Sequence, residues 1–475
     1  MSDICYESAL NQLSLIKTKK ISCMELLGLH LDKLEKINPK VNAITTKLYD
    51  QAIISAKDSD QRIARGENIR SLEGLPTAIK DLHMTRGIVT TEGSRIYKNR
   101  IPDYDSLIVS RIKQAGVTIL GKSNTPEFGA GSQTFNELFG PTLNPYDLTK
   151  TCGGSSGGSA VALACGIVSI ATGSDLGGSL RNPAAWNNVV GFRPTLGLVP
   201  SFSKIPWNTL STDGPMGRTV EDIFLQMEVI SGNDKYIPSN INMNLGFNLE
   251  KFFRKKQTKL KIAWGGNLGN RPINKEVLDI TKDSMKEFMS IGLEIFEDFP
   301  DLSESDEIFN AFRAYKFAID HEDHINSYPN LVKETIKWNT NKGIKMKALH
   351  LAKMEQLRAK IWKRMIKFFE NYHFLALPVT SVPPFSVDME YPKKINNIDL
   401  KTYLDWMWPC YVISVTGMPA ISVPCGFTRN GLPVGLQLIG SHLKDIDLLS
   451  IAYAFQEVTN CYKKIPKICI ENLNF

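Results

Sequence analysis

Between residues 74 and 175, short β-branched apolar runs alternate with stretches of helical periodicity. GLPTAIKDL (74–82) reads as a strand bounded by turn residues. DSLIVSRIKQAG (105–116) reads as an amphipathic helix closed by Gly116, and VTILGKSN (117–124) as a buried strand. AVALACG (160–166) and IVSIATGSD (167–175) repeat the helix–strand alternation. This order predicts an α/β fold, a central twisted mixed sheet covered by helices on both sides.

The flanks extend the same plan. Residues 1–70 read as helices. Ser22 and Glu25 form a capping-box pattern before MELLGLHLDKLEKI, Pro39 follows its end, and a second helix covers 49–65. From 235 to 372 the chain reads as mainly helical. Leu351, Met354, Leu357, Ile361, Met365 and Phe368 recur every three or four residues, as on a helix face packed against a core. Over 373–475 the sheet signal returns. AISVPCGF and LPVGLQLIG flank RNG, and Asn430-Gly431 is a hairpin turn signal. No repeat and no low-complexity linker separates these parts, so 1–475 is expected to form one domain, with 71–230 as its core.

Composition excludes several classes. The chain of 475 residues is 43% hydrophobic and 22% charged, enough to bury a large core. Its net charge of +7 comes from lysines dispersed in stretches such as KQTKLK and KGIKMK. No basic block alternates with aromatics, so no nucleic-acid partner is expected. No run of 18 apolar residues predicts a membrane span, and MSDICYESAL lacks the pattern of a secretory signal. Eight scattered cysteines without a CxxC pair fit a reduced, cytoplasmic protein without metal or cofactor. A homodimer is allowed.

Three motifs mislead. GVTILGKS (116–123) matches the phosphate-loop pattern, but a helix precedes its first glycine and VTIL itself is the strand. HEDH (321–324) spaces its histidines at i, i+3 rather than i, i+4, and reads as a solvated helix face. GGSSG (153–157) matches the nucleophile elbow of α/β-hydrolases, but TLNPYDLTKTCGG before it does not read as a strand.

Two glycine-serine stretches remain, CGGSSGGSAVALACG (152–166) and GSDLGGSLR (173–181). Together with PTAIKD, GKSNTPEF, FGPTLNPYD, NPAAWNNVVGFRPTLG and the C-terminal TGMPAISVPCGF and GLPVGLQLIG, they resemble the amidase signature enzymes. The resemblance covers most of the chain and is weakest between about 235 and 370. It implies a Ser-cisSer-Lys triad with Ser179 as nucleophile, Ser155 as the bridging serine and Lys80 as base. The two serines are 24 residues apart, as in the family pattern. It further implies supporting roles for Ser156, Ser174, Asp175 and Arg181. EFGAGSQ matches a substrate-channel segment, in which Gly129 and Gly131 would leave room.

The chemistry follows from the residue types. A serine hydroxyl needs a base to become a nucleophile. Lysine serves as that base only when burial disfavours its charge. In PTAIKDL, Asp81 alternates to the face opposite Lys80 and need not hold a charge there. A bridging hydroxyl both donates and accepts, so Ser155 can relay a proton between Ser179 and Lys80. The N–H groups of Leu176, Gly177, Gly178 and Ser179 can form an oxyanion hole.

Two functions fit these residues. One is a stand-alone amidase that hydrolyses a small carboxamide. The other is the glutaminase (A) subunit of a tRNA-dependent amidotransferase. NTPEFGAG and LRNPAAWNNVVGFRP look more like the former. The latter more typically has NMDEF and QPAAFCGVVGLKP.

Overall fold

A computed structural model describes residues 3–207, 210–241 and 260–470; lysines 256 and 259 of KQTKLK lie outside them. Among the described residues eleven strands form one sheet. They are β1 (Ile44–Lys47), β2 (Pro76–Lys80), β3 (Thr118–Ser123), β4 (Ile170–Asp175), β5 (Val190–Arg193), β6 (Thr212–Gly217), β7 (Leu260–Trp264), β8 (Leu293–Glu297), β9 (Phe374–Pro378), β10 (Ala420–Phe427) and β11 (Pro433–Gly440). Their spatial order is β1-β3-β2-β4-β6-β5-β10-β11-β9-β7-β8. β3, β2 and β4 run parallel, as do β9, β7 and β8, and the remaining pairs are antiparallel. The sheet is therefore mixed, and the chain leaves it and re-enters it as expected.

Helices cover both faces. A Cβ on Gly435 would meet Ala185 of the helix Arg181–Trp186, and one on Gly440 would meet Leu448 of the helix Asp445–Thr459. The two glycines lie five residues apart on β11, so they point to opposite faces. One contiguous apolar core runs through both layers.

Most local expectations hold. Ser22 and Glu25 form the capping box of the helix Cys23–Val41. The six-residue stripe lies on the helix Ala348–Phe368, with Met354, Ile361, Met365 and Phe368 buried. Gly116 ends its helix at φ +93°, and Gly431 turns the β10–β11 hairpin at φ +80°. All eight cysteines are free. Among the described residues no helix is long and apolar enough to cross a membrane.

Four expectations are corrected. The helix Cys23–Val41 runs through Pro39 and ends at Asn42, which takes the left-handed conformation and donates to the Asn38 carbonyl. Proline in the last turn forfeits one hydrogen bond without stopping the helix. ITTK (β1) interrupts the N-terminal helices; it is four residues long and lies at the sheet edge, so its periodicity is too short to read. LEIFE (β8) interrupts the helical region; its two glutamates and half-exposed face belong to the opposite edge. Asp147–Thr151 does enter GGSSG as a strand, but in a separate two-stranded ribbon rather than in the central sheet.

Candidate active site

The parallel strands β2, β3 and β4 end on one side of the sheet, the usual place for a site in such folds. Lys80 is the last residue of β2 and Asp175 the last of β4. Ser155 and Ser156 lie in the turn before the buried helix Gly157–Ala164. That helix sits directly on the strand ends. A Cβ at Gly158 would come within 2.3 Å of the Asn124 nitrogen, so only glycine permits the approach.

Lys80 is fully buried. Its Nζ lies 2.7 Å from Ser155 Oγ, 2.9 Å from Ser156 Oγ and 3.0 Å from Ser174 Oγ. No carboxylate lies within salt-bridge distance among the described residues. Burial pulls its pKa down to about 7, against the weaker opposing fields of Asp213 and Asp175. Asp81 indeed turns away: it accepts from Thr91 and faces Lys122 Nζ at 3.8 Å. Lys122, from GVTILGKS, is itself buried and donates to the His83 carbonyl, Thr85 Oγ1 and Thr90 Oγ1. The phosphate-loop match thus resolves into a structural lysine.

The Gly154–Ser155 peptide is cis. Ser155 Oγ touches Lys80 on one side, and Gly129 packs on the other, where an added Cβ would stand 3.5 Å from it. Ser179 is half-buried and shares a cavity of about 710 Å³ with Ser155, Ser174, Leu176, Gly177 and Gly129. Its carbonyl accepts from Ser156 N–H at 3.2 Å. Among the described residues no hydrogen bond joins the Ser179 and Ser155 hydroxyls.

The loop 175–181 is held from behind. Asp175 accepts from Gly178 N–H (2.8 Å), Leu180 N–H (3.2 Å) and the Arg181 guanidinium (2.9 and 3.0 Å). Arg193 adds a further contact at 3.3 Å. Burial alone would raise the Asp175 pKa, but the Arg181 and Arg193 charges hold it well below the usual carboxylate range. Arg181 also donates to Ser414 Oγ and the Cys410 carbonyl. The engagement of Gly178 corrects the four-donor oxyanion hole. Its N–H is spent on Asp175, while those of Leu176, Gly177 and Ser179 have no partner among the described residues. Asp175→Asn is expected to destabilise the fold by about 3–5 kcal/mol, because two buried guanidinium groups lose their counter-charge. Urea unfolding would read this, and a change under about 1 kcal/mol would contradict it.

Three residues beside Lys80 escaped the sequence reading. Thr172 Oγ1 accepts the Lys80 N–H at 3.1 Å and contacts His83 Nδ1 at 3.0 Å. His83 Nε2 meets Asp213 Oδ1 at 3.2 Å. Burial would raise Asp213, but His83 and Lys80 lower it overall. None of the three stands in a chemically distinctive pattern. The HEDH reading is also corrected. His321 is buried, its ring 4.7 Å from that of Phe128, and His324 stacks on Phe128 at 4.8 Å and meets Tyr97 OH at 2.8 Å. Both histidines line the cavity rather than a solvated face.

This sheet, with a desolvated lysine behind the serine-bearing glycine loops that line one cavity, defines an enzyme that hydrolyses amide C–N bonds. The chain belongs to the amidase family, whose model matches residues 25–449. It is 32% identical over 476 residues to the A subunit of the glutamyl-tRNA(Gln) amidotransferase of Alkaliphilus metalliredigens (strain QYMF), covering 94% of this chain and 96% of that one. Its fold is similar to that of a bacterial aryl acylamidase of the amidase signature enzymes, with a TM-score of 0.90 at 28% identity over 97% of this chain and 98% of that one. The corresponding amidotransferase polypeptide of Thermotoga maritima gives a TM-score of 0.75 at 28% identity, over 98% and 99%.

Proposed function

We propose that this chain is a stand-alone amidase that converts a small carboxamide to a carboxylate and ammonia or an amine through an acyl group on Ser179. The surroundings of Lys80 Nζ, hydroxyls without a carboxylate, support the amide-hydrolysing part of this most directly. A neutral amine has two N–H donors and one lone pair. Its partners are three hydroxyls at 2.7–3.0 Å, with no carboxylate among the described residues, so none of them requires the charge: in the neutral form two accept its N–H groups and the third can turn its O–H to the lone pair. Ser155, the nearest, is the hydroxyl that gives its proton to Lys80 while accepting one from Ser179.

Ser179 Oγ then bonds to the amide carbon. Negative charge gathers on the carbonyl oxygen, which the N–H groups of Leu176, Gly177 and Ser179 receive. The C–N bond breaks as the proton returns from Lys80 through Ser155 to the leaving nitrogen. Water, activated by the same relay, hydrolyses the acyl-serine. Ser156 and Ser174 hold the amine in place, and Asp175 and Arg181 hold the loop.

A specific observation favours a second reading, the glutaminase component of an amidotransferase: the 32% identity with such a polypeptide over nearly the whole chain. The stand-alone reading rests on the closer fold likeness to the aryl acylamidase, 0.90 against 0.75 in TM-score, at equal identity. The purified chain alone is expected to release amine or ammonia from members of a panel of aliphatic, aromatic and amino-acid amides. Activity on glutamine only, and only after addition of partner subunits, would establish the second reading instead.

A further inference from the structure

The helix Ser305–Ser327 forms one wall of the cavity. Phe309, Arg313, Phe317 and His321 follow one another at i, i+4, so they make a single row along it. The row begins at the reacting loop, since a Cβ on Gly177 would stand 2.7 Å from the Phe309 ring. It continues to His321, whose ring packs on Phe128 beside Gly129.

Arg313 is the charged member of this row. It is only 5% exposed and lines the cavity. Its Nη2 donates to Tyr403 OH at 2.9 Å, and its guanidinium lies 4.3 Å from the Phe317 ring centroid. Its Nε has no hydrogen-bond partner. No carboxylate pairs with it among the described residues. A guanidinium stays charged when buried and has five N–H donors in a fixed fork that matches a carboxylate. A buried charge of this kind is normally paired.

The other charges around the cavity do not supply that pair. Among the described residues its lining carries two carboxylates, Glu92 and Asp320. Glu92 is taken by Arg100 at 2.8 Å and Asp320 by Lys316 at 2.6 Å. Lys204, the remaining lining cation, is exposed to water. Among the described residues the cavity therefore holds one desolvated cation, Arg313, without a counter-charge.

We propose that the substrate is an amide bearing a carboxylate, and that Arg313 binds this carboxylate about one helical turn, roughly 6 Å along the wall, from the loop where the amide reacts. The proposal rests on the amidase reading and adds the substrate class to it. It places a few bonds between carboxylate and scissile carbonyl.

The test pairs acids with neutral counterparts at pH 8, where the acids are ionised. Glutaranilic acid and its methyl ester carry the group on the acyl side; 4-acetamidobenzoate and its methyl ester carry it on the leaving side. At least one acid is expected to exceed its ester in kcat/KM by roughly 10-fold or more, as charge-assisted bonds are worth. Arg313→Gln should lower kcat/KM for that acid by roughly 10- to 100-fold, mainly through KM, and leave the ester within about 3-fold. Arg313→Lys should recover part of the loss. The preferred acid should also bind Ser179→Ala more tightly than its ester in calorimetry, independently of turnover. Hydrolysis of esters and acids alike, or an equal fall for both in Arg313→Gln, would overturn the proposal while leaving the amidase reading intact. No hydrolysis of any amide would overturn both.

Discussion

Replacing Ser179 by alanine is expected to lower amide turnover by roughly 10⁴-fold or more, the scale on which members of a serine nucleophile unit act. The fold should survive, because the hydroxyl is half-buried at a cavity wall and makes no hydrogen bond among the described residues. Only its carbonyl is tied, to Ser156 N–H at 3.2 Å, and alanine keeps that bond. Ser155→Ala should fall comparably, since the relay is broken between Lys80 and Ser179. The two variants are separated by labelling. A serine-directed phosphonyl fluoride followed by peptide mass spectrometry should mark Ser179 in the wild type and in no peptide of Ser179→Ala. Label on Ser155 or Ser156, with Ser179→Ala still active, would move the nucleophile to the GGSSG turn. That turn is an unlike elbow: its entering strand belongs to a separate ribbon, and its serine hydroxyls point at Lys80.

The chemistry-bearing loops were legible because their residues are unusual in combination. A lysine at the end of an apolar strand, and serines in two glycine-dense stretches, have few other reasons to occur together. The structure brings Lys80, Ser155, Ser156 and Ser174 within hydrogen-bond distance across nearly a hundred residues of sequence. The parallel alternation around them was equally readable, since each strand there is buried at all or all but one of its positions. Edge strands were not, because ITTK and LEIFE are short and half exposed, and so carry the same pattern as a loop or a helix turn.

The cavity wall was hidden for a different reason. Phe309, Arg313, Phe317, His321 and His324 have ordinary helical spacing, and nothing local tells a cavity from solvent. What faces a helix is decided by tertiary packing, here by Phe128 and the Gly177 loop. The same holds for His83 and Asp213, which meet only because β6 pairs with β4 and brings Asp213 opposite Ser174. Gly178 shows the limit within a recognised motif. Its place in DLGGS suggests a donor to substrate, but the buried carboxylate of Asp175 three residues earlier takes its N–H first.

Lys80→Met is expected to remove nearly all turnover, again by roughly 10⁴-fold, and its pH behaviour distinguishes a base from a charge anchor. Burial brings the wild-type amine to about 7, so kcat/KM should rise tenfold per pH unit below that value and level off above it. Stability should follow the same group. In the unfolded chain a lysine holds its proton up to about 10.4. Between the folded and unfolded values the unfolded chain binds more protons, so the contribution of Lys80 to stability increases as pH rises from about 7 towards 10. Below that window the amine is charged in both states and its burial is most costly. Lys80→Met removes this dependence, and its unfolding midpoint at pH 9 should fall far less than that of Asp175→Asn, because at that pH methionine replaces a group that is already almost wholly neutral. The contrast is useful because both side chains are wholly buried. One is a cation that has lost its charge to desolvation, the other an anion that keeps its charge against two guanidinium groups. A rate profile still climbing with unit slope near pH 10, or a Lys80→Met midpoint as low as that of Asp175→Asn, would show that the lysine is a charged structural anchor rather than the base.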